Sequence, residues 1–146
     1  MVVTVETNSK TSSSESVRSV QSPLGLVVRQ TLLCANRENR AVVGLSESIH
    51  ALSRKPQKIL FCFLTSSIDH MHEVLLEAFC FEHDIYIIKL DNEEKLSRTL
   101  GSNQLESCVC VQTADTKYIT ADESELIDYC EAQWEPVKPI IKLPEK

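Results

Sequence analysis

Apolar residues follow two alternating patterns along this chain, one with helical spacing and one typical of strands. The segment 23–37 has apolar side chains three and four residues apart, as in an amphipathic helix. The run KILFCFL at 58–64 is apolar throughout, as in a strand covered on both faces. The predicted order is helix 23–37, strand 40–45, helix 46–55, strand 58–64, helix 69–83, strand 85–90, helix 91–100, strand 107–112, helix 120–133 and strand 137–143.

Polar residues and prolines mark the predicted ends of these elements. Ser46 is expected to cap one helix, and Asp91 with Glu94 and Thr120 with Glu123 have the spacing of capping boxes. The prolines of the last segment predict an edge strand, because proline cannot donate a ladder hydrogen bond. Alternating strands and helices predict an α/β fold, a three-layer α/β/α sandwich with a mixed central sheet of about five strands.

Residues 22–146 are predicted to form this single α/β/α domain, and residues 1–21 a disordered tail. The tail is rich in Ser and Thr and has too few large apolar residues to offset the entropy of ordering. Ser22 before Pro23 fits a helix start, with Ser as the cap and Pro in the first turn. The same pair also fits a proline-directed phosphorylation site.

The predicted helix at 69–83 carries more apolar surface than one helix face can hide in a domain of this size. An inner stripe consists of Leu76, Phe79 and Cys80. A second stripe lies on another side of the helix and consists of Met71, Leu75, Ala78 and Phe81. A surface helix of a monomer has one apolar stripe. Two stripes therefore predict two buried contacts, one with the chain's own sheet and one with another protein.

The charge balance argues against nonspecific binding to nucleic acid and membranes. The chain has 15 basic and 21 acidic residues among 146, for a net charge of −6. Polyanions and anionic lipids attract basic surfaces, whereas an acidic protein suits basic protein partners. Neither an apolar run long enough to span a membrane nor the pattern of a signal peptide is found, which predicts an intracellular protein with no membrane partner.

The residues that usually perform chemistry form no recognisable motif. Three glycines leave no room for a phosphate-binding loop, and the histidines lack metal-binding spacing. The six cysteines include no CxxC pair, and Cys108 and Cys110 are spaced poorly for zinc. We read the cysteines as buried structural thiols, because free cysteine behaves as a small hydrophobe. The sequence thus predicts no enzyme activity, no cofactor and no metal.

Acidic residues open two of the predicted helices. Carboxylates stabilise helix N-termini through the helix dipole. Both groups are also expected at one edge of the sheet, where a shared acidic rim would steer basic partners. The rim residues are Asp91, Glu93, Glu94, Asp122, Glu123 and Glu125.

Two segments resemble the growth-arrest and DNA-damage-inducible stress proteins. In that family a helix with an AFCCEND-like stretch precedes a strand, and the chain ends in a WVP…LPE-like segment. The matching residues here lie in LLEAFCFEHDIYIIKL at 75–90 and QWEPVKPIIKLPEK at 133–146. CVCV at 108–111 adds a third match, and the resemblance covers residues 22–146.

The resemblance implies a fold related to the ribosomal kink-turn RNA-binding proteins and no enzymatic activity. It implies a stress-induced regulator of the nucleus and cytoplasm that binds and activates a MAP kinase kinase kinase, upstream of p38 and JNK. Further implied partners are the replication sliding clamp and a mitotic cyclin-dependent kinase. The family also forms homodimers through the long central helix, which here implies contacts by Met71, Leu75, Ala78 and Phe81.

The sequence departs from the vertebrate members in one loop. They carry a long acidic loop before the central helix, whereas here only residues 65–69 connect the strand to the helix, a compact form expected of an invertebrate member. A kink-turn RNA-binding protein is the alternative. Those relatives have a Gly-x-Asn-Glu-like turn followed by basic residues, and here Gly44-Leu45-Ser46-Glu47 keeps the glycine and the acid but lacks the rest.

Overall fold

The computed structural model describes residues 23–114, 120–133 and 140–144. The predicted disordered tail, Ser22 and Trp134 lie outside these residues. The described helices are α1 (Pro23–Arg37), α2 (Leu45–Arg54), α3 (His70–Glu82), α4 (Glu93–Leu100) and α5 (Ala121–Ala132). The strands are β1 (Ala41–Val43), β2 (Ile59–Thr65), β3 (Tyr86–Leu90), β4 (Cys108–Gln112) and β5 (Ile140–Ile141), and a 3-10 turn spans Pro56–Lys58.

The strands form one mixed sheet in the order β1-β4-β2-β3-β5. Strands β2, β3 and β5 are parallel, whereas β4 runs antiparallel to both β1 and β2. Phe61 pairs with Tyr86 on one side and with Val111 on the other, which places β2 at the centre. The five-stranded mixed sheet is confirmed, and β5 occupies an edge, as predicted from the prolines of the last segment.

Alternating residues of the central strands pack into two separate apolar cores, one on each face of the sheet. Phe61 and Phe63 join a core with α1, α4 and α5, where Leu32, Leu96 and Leu126 are fully buried. Cys62 and Leu64 point to the opposite face, under Leu52 of α2 and Leu76 of α3. Because successive strand residues face opposite sides, β2 needs apolar residues at every position. The helices thus cover both faces of the sheet, which confirms the predicted sandwich.

Helix capping differs from the sequence prediction at two helices. Gly44, not Ser46, precedes α2, and no side chain caps that helix. Asn92 caps α4, its side-chain oxygen accepting from the Lys95 amide at 3.0 Å. The predicted capping box led by Asp91 is therefore wrong. At α5, Thr120 accepts from the Glu123 amide at 3.1 Å as predicted.

The C-terminal segment docks against β3 and α1. Asp91 makes two hydrogen bonds to this segment. Its amide donates to the Ile141 carbonyl at 3.1 Å, and its carboxylate accepts from the Leu143 amide at 3.0 Å. Lys95 adds a 3.1 Å hydrogen bond to the Leu143 carbonyl. On the other side, the α carbon of Gly25 lies so close to the Lys142 carbonyl that an added Cβ would stand 2.1 Å from its oxygen. Asp91 is thus a structural residue that fastens the chain end.

Candidate functional site

Helix α3 is fixed on the sheet by one apolar stripe and one group of ion pairs. Leu76 and Cys80 are buried against the sheet, and Phe79 packs on the same core. Lys89 of β3 bridges to Glu73 at 3.2 Å and to Glu77 at 2.7 Å. Burial opposes the charge of Lys89, but its hydrogen bonds to these carboxylates leave its pKa raised. These contacts set the rotation of α3 and therefore which side faces outward.

The outward side of α3 is apolar along its whole length. The exposed fraction is 68% for Met71, 61% for Leu75 and 86% for Phe81, and Ala78 is also exposed. Val74, 48% exposed, belongs to the same side and was missed by the sequence analysis, although it lies three residues after Met71. We call Met71, Val74, Leu75, Ala78 and Phe81 the outer stripe. Contiguous exposed apolar surface of this kind marks protein contact sites.

The predicted acidic rim is divided between opposite ends of the sheet. Helix α4 begins where the parallel strands β2 and β3 end, because Leu90 pairs with Thr65. Helix α5 begins near Gln112, which pairs with Ile59 at the start of β2. The prediction of one shared rim is therefore wrong, and the reason is that β4 runs antiparallel to β2.

The six predicted rim residues also differ in availability. Glu123 is buried and bonded to Arg40 at 2.7 Å, and Asp91 holds the C-terminal segment. Glu93 and Asp122 are half-buried, whereas Glu94 and Glu125 are exposed. Only the latter four leave a carboxylate for a partner, and they lie at two ends of the molecule.

A different set of acids gathers at the end of the sheet where β2 and β3 terminate. Helices α2, α3 and α4 all start there, and the segment before β4 reaches it through the Thr65 amide, which donates to Ser107 at 3.0 Å. We call this group the acidic end, and it comprises Glu47, Asp69, Glu93, Glu94 and Glu106. Glu47 and Glu106 were missed, since only strand order brings them near α4. The outer stripe also begins at this end, with Met71.

Three cysteine thiols meet on the face of the sheet covered by α2 and α3. The sulfur atoms of Cys62, Cys108 and Cys110 lie within 4.8 Å of one another, and all three residues are buried. The prediction considered Cys108 and Cys110 alone, whereas strand pairing brings Cys62 directly opposite Cys110. The interaction between the Cys108 and Cys110 thiols shifts their two pKa values in opposite directions. It lowers the pKa of Cys110 and raises the pKa of Cys108. No other group of described residues meets the same spacing.

The remaining polar groups of residues 23–114, 120–133 and 140–144 offer no catalytic arrangement. His70 and His72 are exposed and lie 3.6 Å from Glu73 and Asp69 respectively, within their own helix turn. A shallow depression of 240 Å³ lies at the end of α2, lined by His50, Ala51, Arg54, Lys55, Lys58, Ile59 and Gln112. It is smaller than small-molecule sites, which occupy about 300–1,000 Å³. Of the helices described, none combines the length and the hydropathy needed to span a bilayer.

Comparison with known sequences places this geometry in a family. The profile of the Ribosomal protein L7Ae/L30e/S12e/Gadd45 family matches residues 27–121. The growth arrest and DNA damage-inducible protein GADD45 alpha of Mus musculus is 27% identical over 150 residues, covering 84% of this chain and 89% of that protein. The GADD45 gamma protein of Homo sapiens is 28% identical over 87 residues, so this chain spans only 55% of its length.

Solved structures share the fold at lower sequence identity. The 15.5 kDa RNA-binding protein of Giardia lamblia superposes with a TM-score of 0.64 at 15% identity, covering 77% of this chain and 92% of that one. A protein of unknown function from Bacillus halodurans gives a TM-score of 0.55 at 17% identity, covering 70% and 96% of the two chains. These likenesses establish the architecture of the sandwich.

Proposed function

Because the chain belongs to the Ribosomal protein L7Ae/L30e/S12e/Gadd45 family, we propose that it is a non-enzymatic stress regulator that binds and activates a MAP kinase kinase kinase. The growth arrest and DNA damage-inducible relatives support a role in the stress response, DNA damage and growth arrest. Output through p38 and JNK, effects on apoptosis, and residence in nucleus and cytoplasm are parts of the same proposal. The replication sliding clamp and cyclin-dependent kinase complexes are further proposed partners.

The observation that carries the proposal of a protein-binding regulator is the outer stripe, a row of exposed apolar residues on a helix whose other side packs on the sheet. Exposed apolar area costs free energy in water, at about 25 cal/mol per Å². Its side chains are presented by a rigid helix, so little conformational entropy is lost when a partner covers them. Such a surface supports binding to proteins, whereas the described residues offer no polar groups arranged for catalysis.

Activation follows if the partner kinase exists in an autoinhibited and an open form. A bound regulator shifts that equilibrium only by its difference in affinity for the two forms. We place the selective contact at the acidic end, where Glu93 and Glu94 would pair with basic residues that the kinase exposes when it opens. At the start of α4, these acidic side chains also interact favourably with the positive end of the helix dipole.

The outer stripe is proposed to serve homodimer formation. A two-fold axis would place the same surface on both subunits, so that Leu75 and Ala78 of one α3 pack against the partner's α3. The acidic end lies at the start of α3 rather than along its outward side, which leaves Glu93 and Glu94 accessible in such a dimer. One chain would therefore carry two separate surfaces, one for its copy and one for the kinase.

A binding experiment with charge reversals tests the kinase contact. The N-terminal regulatory region of the kinase is immobilised, and retention of the full chain is compared with that of Glu93→Lys/Glu94→Lys. The matched control is Glu125→Lys, an exposed acid on α5 at the opposite end of the sheet. Retention should fall about tenfold or more for the double variant and stay unchanged for the control. Equal retention of all three proteins would remove the acidic end from the proposal.

A separate experiment tests the dimer. Leu75→Glu should give a folded monomer by light scattering, because a charge replaces the centre of the outer stripe. A folded Leu75→Glu protein that remains dimeric would show that another surface forms the dimer. Kinase binding by that monomer then tells whether dimer formation helps or opposes it.

RNA binding is the second candidate, favoured by the fold shared with the Giardia RNA-binding protein. The turn at Gly44 argues against it. Glu47 lies in the first turn of α2, and the carboxylate of Glu106 would stand 3.6 Å from a Cβ on Gly44. Phosphates are repelled by such a turn. Salt-sensitive retention of a kink-turn RNA in a gel shift would favour this candidate over the kinase regulator.

A further inference from the structure

The thiol cluster is the most unusual chemical grouping in the described part of the chain. Cys62 of β2 lies opposite Cys110 of β4, and Cys108 points to the same face two residues earlier. Their sulfur atoms form a triangle with sides of at most 4.8 Å. All three residues have an exposed fraction of 0% and belong to the core between the sheet and helices α2 and α3.

Two residues approach the triangle from the helices above it. Cys80 of α3 is fully buried in the same core as the three thiols, and its sulfur lies outside the 4.8 Å group. Ser48 of α2 is fully buried as well, and its hydroxyl donates to the Val42 carbonyl at 3.3 Å. The sheet thus supplies three neighbouring sulfur atoms, and α3 brings a fourth thiol into the same core.

Among the described residues, the surroundings of these sulfurs are apolar. The same core contains Leu52, Leu64 and Leu76, together with the aliphatic residues Ile59, Ile68 and Ile85. Cysteine can fill a core as a small hydrophobic residue, and in that role only its volume matters. Convergence of three sulfur atoms from two strands on one point is not required for that purpose.

We propose that Cys62, Cys108 and Cys110, with Cys80 as fourth ligand, form a buried site for a thiophilic d10 metal ion such as Zn²⁺ or Cu⁺. Thiolate ligands select these ions over harder cations. A zinc–sulfur bond of about 2.3 Å requires sulfur atoms about 3.8 Å apart in a tetrahedron. The three sheet cysteines therefore need to approach one another by only about 1 Å, whereas Cys80 would have to turn its thiol toward them.

The charge and proton balance is simple. Each cysteine that binds loses its thiol proton, so a Zn²⁺ ion held by four thiolates releases four protons and leaves a complex of charge −2. A Cu⁺ ion held by three thiolates releases three protons and reaches the same charge. In the four-thiolate Zn²⁺ complex the ion would link α3 to the centre of the sheet through Cys80. This inference is independent of the proposed kinase partner.

Metal titration of the full chain tests the site. Protein stripped with chelator and reductant is titrated separately with Zn²⁺ and with Cu⁺, against a competing chromophoric chelator, and native mass spectrometry counts bound ions. We expect one ion per chain for at least one of the two metals. Cys110→Ser and Cys62→Ser should weaken binding about 100-fold or more, because each removes one ligand. Absence of stoichiometric binding of either metal would overturn the proposal.

Two cysteines outside the cluster supply matched controls. Cys34 of α1 and Cys130 of α5 are half-buried on the other side of the sheet, and their Ser variants should bind metal as the wild type does. Equal losses in these controls would mean unspecific thiol binding and would also overturn the site. If Cys110→Ser does not fold, Cys80→Ser provides the second variant, with metal-induced elevation of the thermal midpoint as readout. That elevation should occur in the wild type and diminish in Cys80→Ser.

Discussion

The guanidinium of Arg40 donates a 2.7 Å hydrogen bond to the carboxylate of Glu123, across 83 residues of chain. Both residues are buried, with exposed fractions of 8% and 1%. Burial opposes the charge on Arg40, but the bonds to Glu123 and Glu38 leave its pKa raised. The pair joins the start of β1 to the start of α5. Glu123 thus belongs to the interior, although the sequence assigned it to a surface for partners.

Replacing this acid should destabilise the fold. Glu123→Gln removes the charge at constant size, while Arg40 keeps Glu38 at 2.7 Å and the Gln112 carbonyl at 2.9 Å. We expect the free energy of unfolding in urea to fall by about 2 kcal/mol, as for a hydrogen bond to a charged group. Glu125→Gln, an exposed change on the same helix, should stay within about 0.5 kcal/mol. Equal effects of the two changes would mean that the buried pair contributes nothing specific.

Tyr86 provides a prediction of pH dependence. Its hydroxyl donates to Glu131 at 2.7 Å, and this bond, with burial, raises the pKa of Tyr86 to about 12. The folded state therefore holds the phenol proton more tightly than the unfolded chain, whose tyrosine pKa is about 10. The stabilising effect is complete below pH of about 10 and is lost as the pH rises toward 12.

Tyr86→Phe isolates that effect, because it keeps the ring that packs 5.9 Å from Phe61. Between pH of about 10 and 12, the wild type should lose stability relative to this variant in urea unfolding. Ultraviolet titration should assign the highest tyrosine midpoint to Tyr86, and Glu131→Gln should lower it. A midpoint near 10 in the wild type would contradict the hydrogen bond.

The helices and strands were predictable because each has its own local pattern of apolar and polar residues. The continuous apolar run that became β2 and the helical spacing of α1 needed no distant contact. The two stripes of α3 were also local, and the fold left the second one exposed. Dimer contact by Met71, Leu75, Ala78 and Phe81 stays a prediction.

The acidic end and the group of three thiols were missed because both depend on how strands pair. The acidic rim was placed at one edge because nothing local reveals that β4 runs against β2. The same pairing brings Cys62 to Cys110, a contact that the spacing of Cys108 and Cys110 could not predict. At α4, Asp91 and Asn92 are adjacent polar residues, and the choice of cap was decided by Asp91 binding the distant Leu143 amide.

Gly25 offers a test in which the usual sign of a substitution is reversed. Gly to Ala inside a helix commonly stabilises by about 0.5–1 kcal/mol. Here the new Cβ would meet the Lys142 carbonyl oxygen at 2.1 Å, so Gly25→Ala should destabilise by about 1–3 kcal/mol. Hydrogen exchange of the Leu143 amide should accelerate as the C-terminal segment moves away. Stabilisation by Gly25→Ala would show that this segment does not dock on α1.

Two adjacent leucines of α3 allow its buried side and its exposed side to be tested separately. Leu76 has an exposed fraction of 6% and packs on the sheet, whereas Leu75 is 61% exposed on the outer stripe. At a concentration low enough for the monomer, Leu76→Ala should cost about 2–5 kcal/mol of unfolding free energy. Leu75→Ala should change it by about 0.5 kcal/mol at most, because alanine suits an exposed helix position. At high concentration, Leu75→Ala should weaken self-association, and Leu76→Ala should not do so beyond its effect on folding. Equal costs in the monomer would place Leu75 in the core and remove the surface on which the proposed dimer depends.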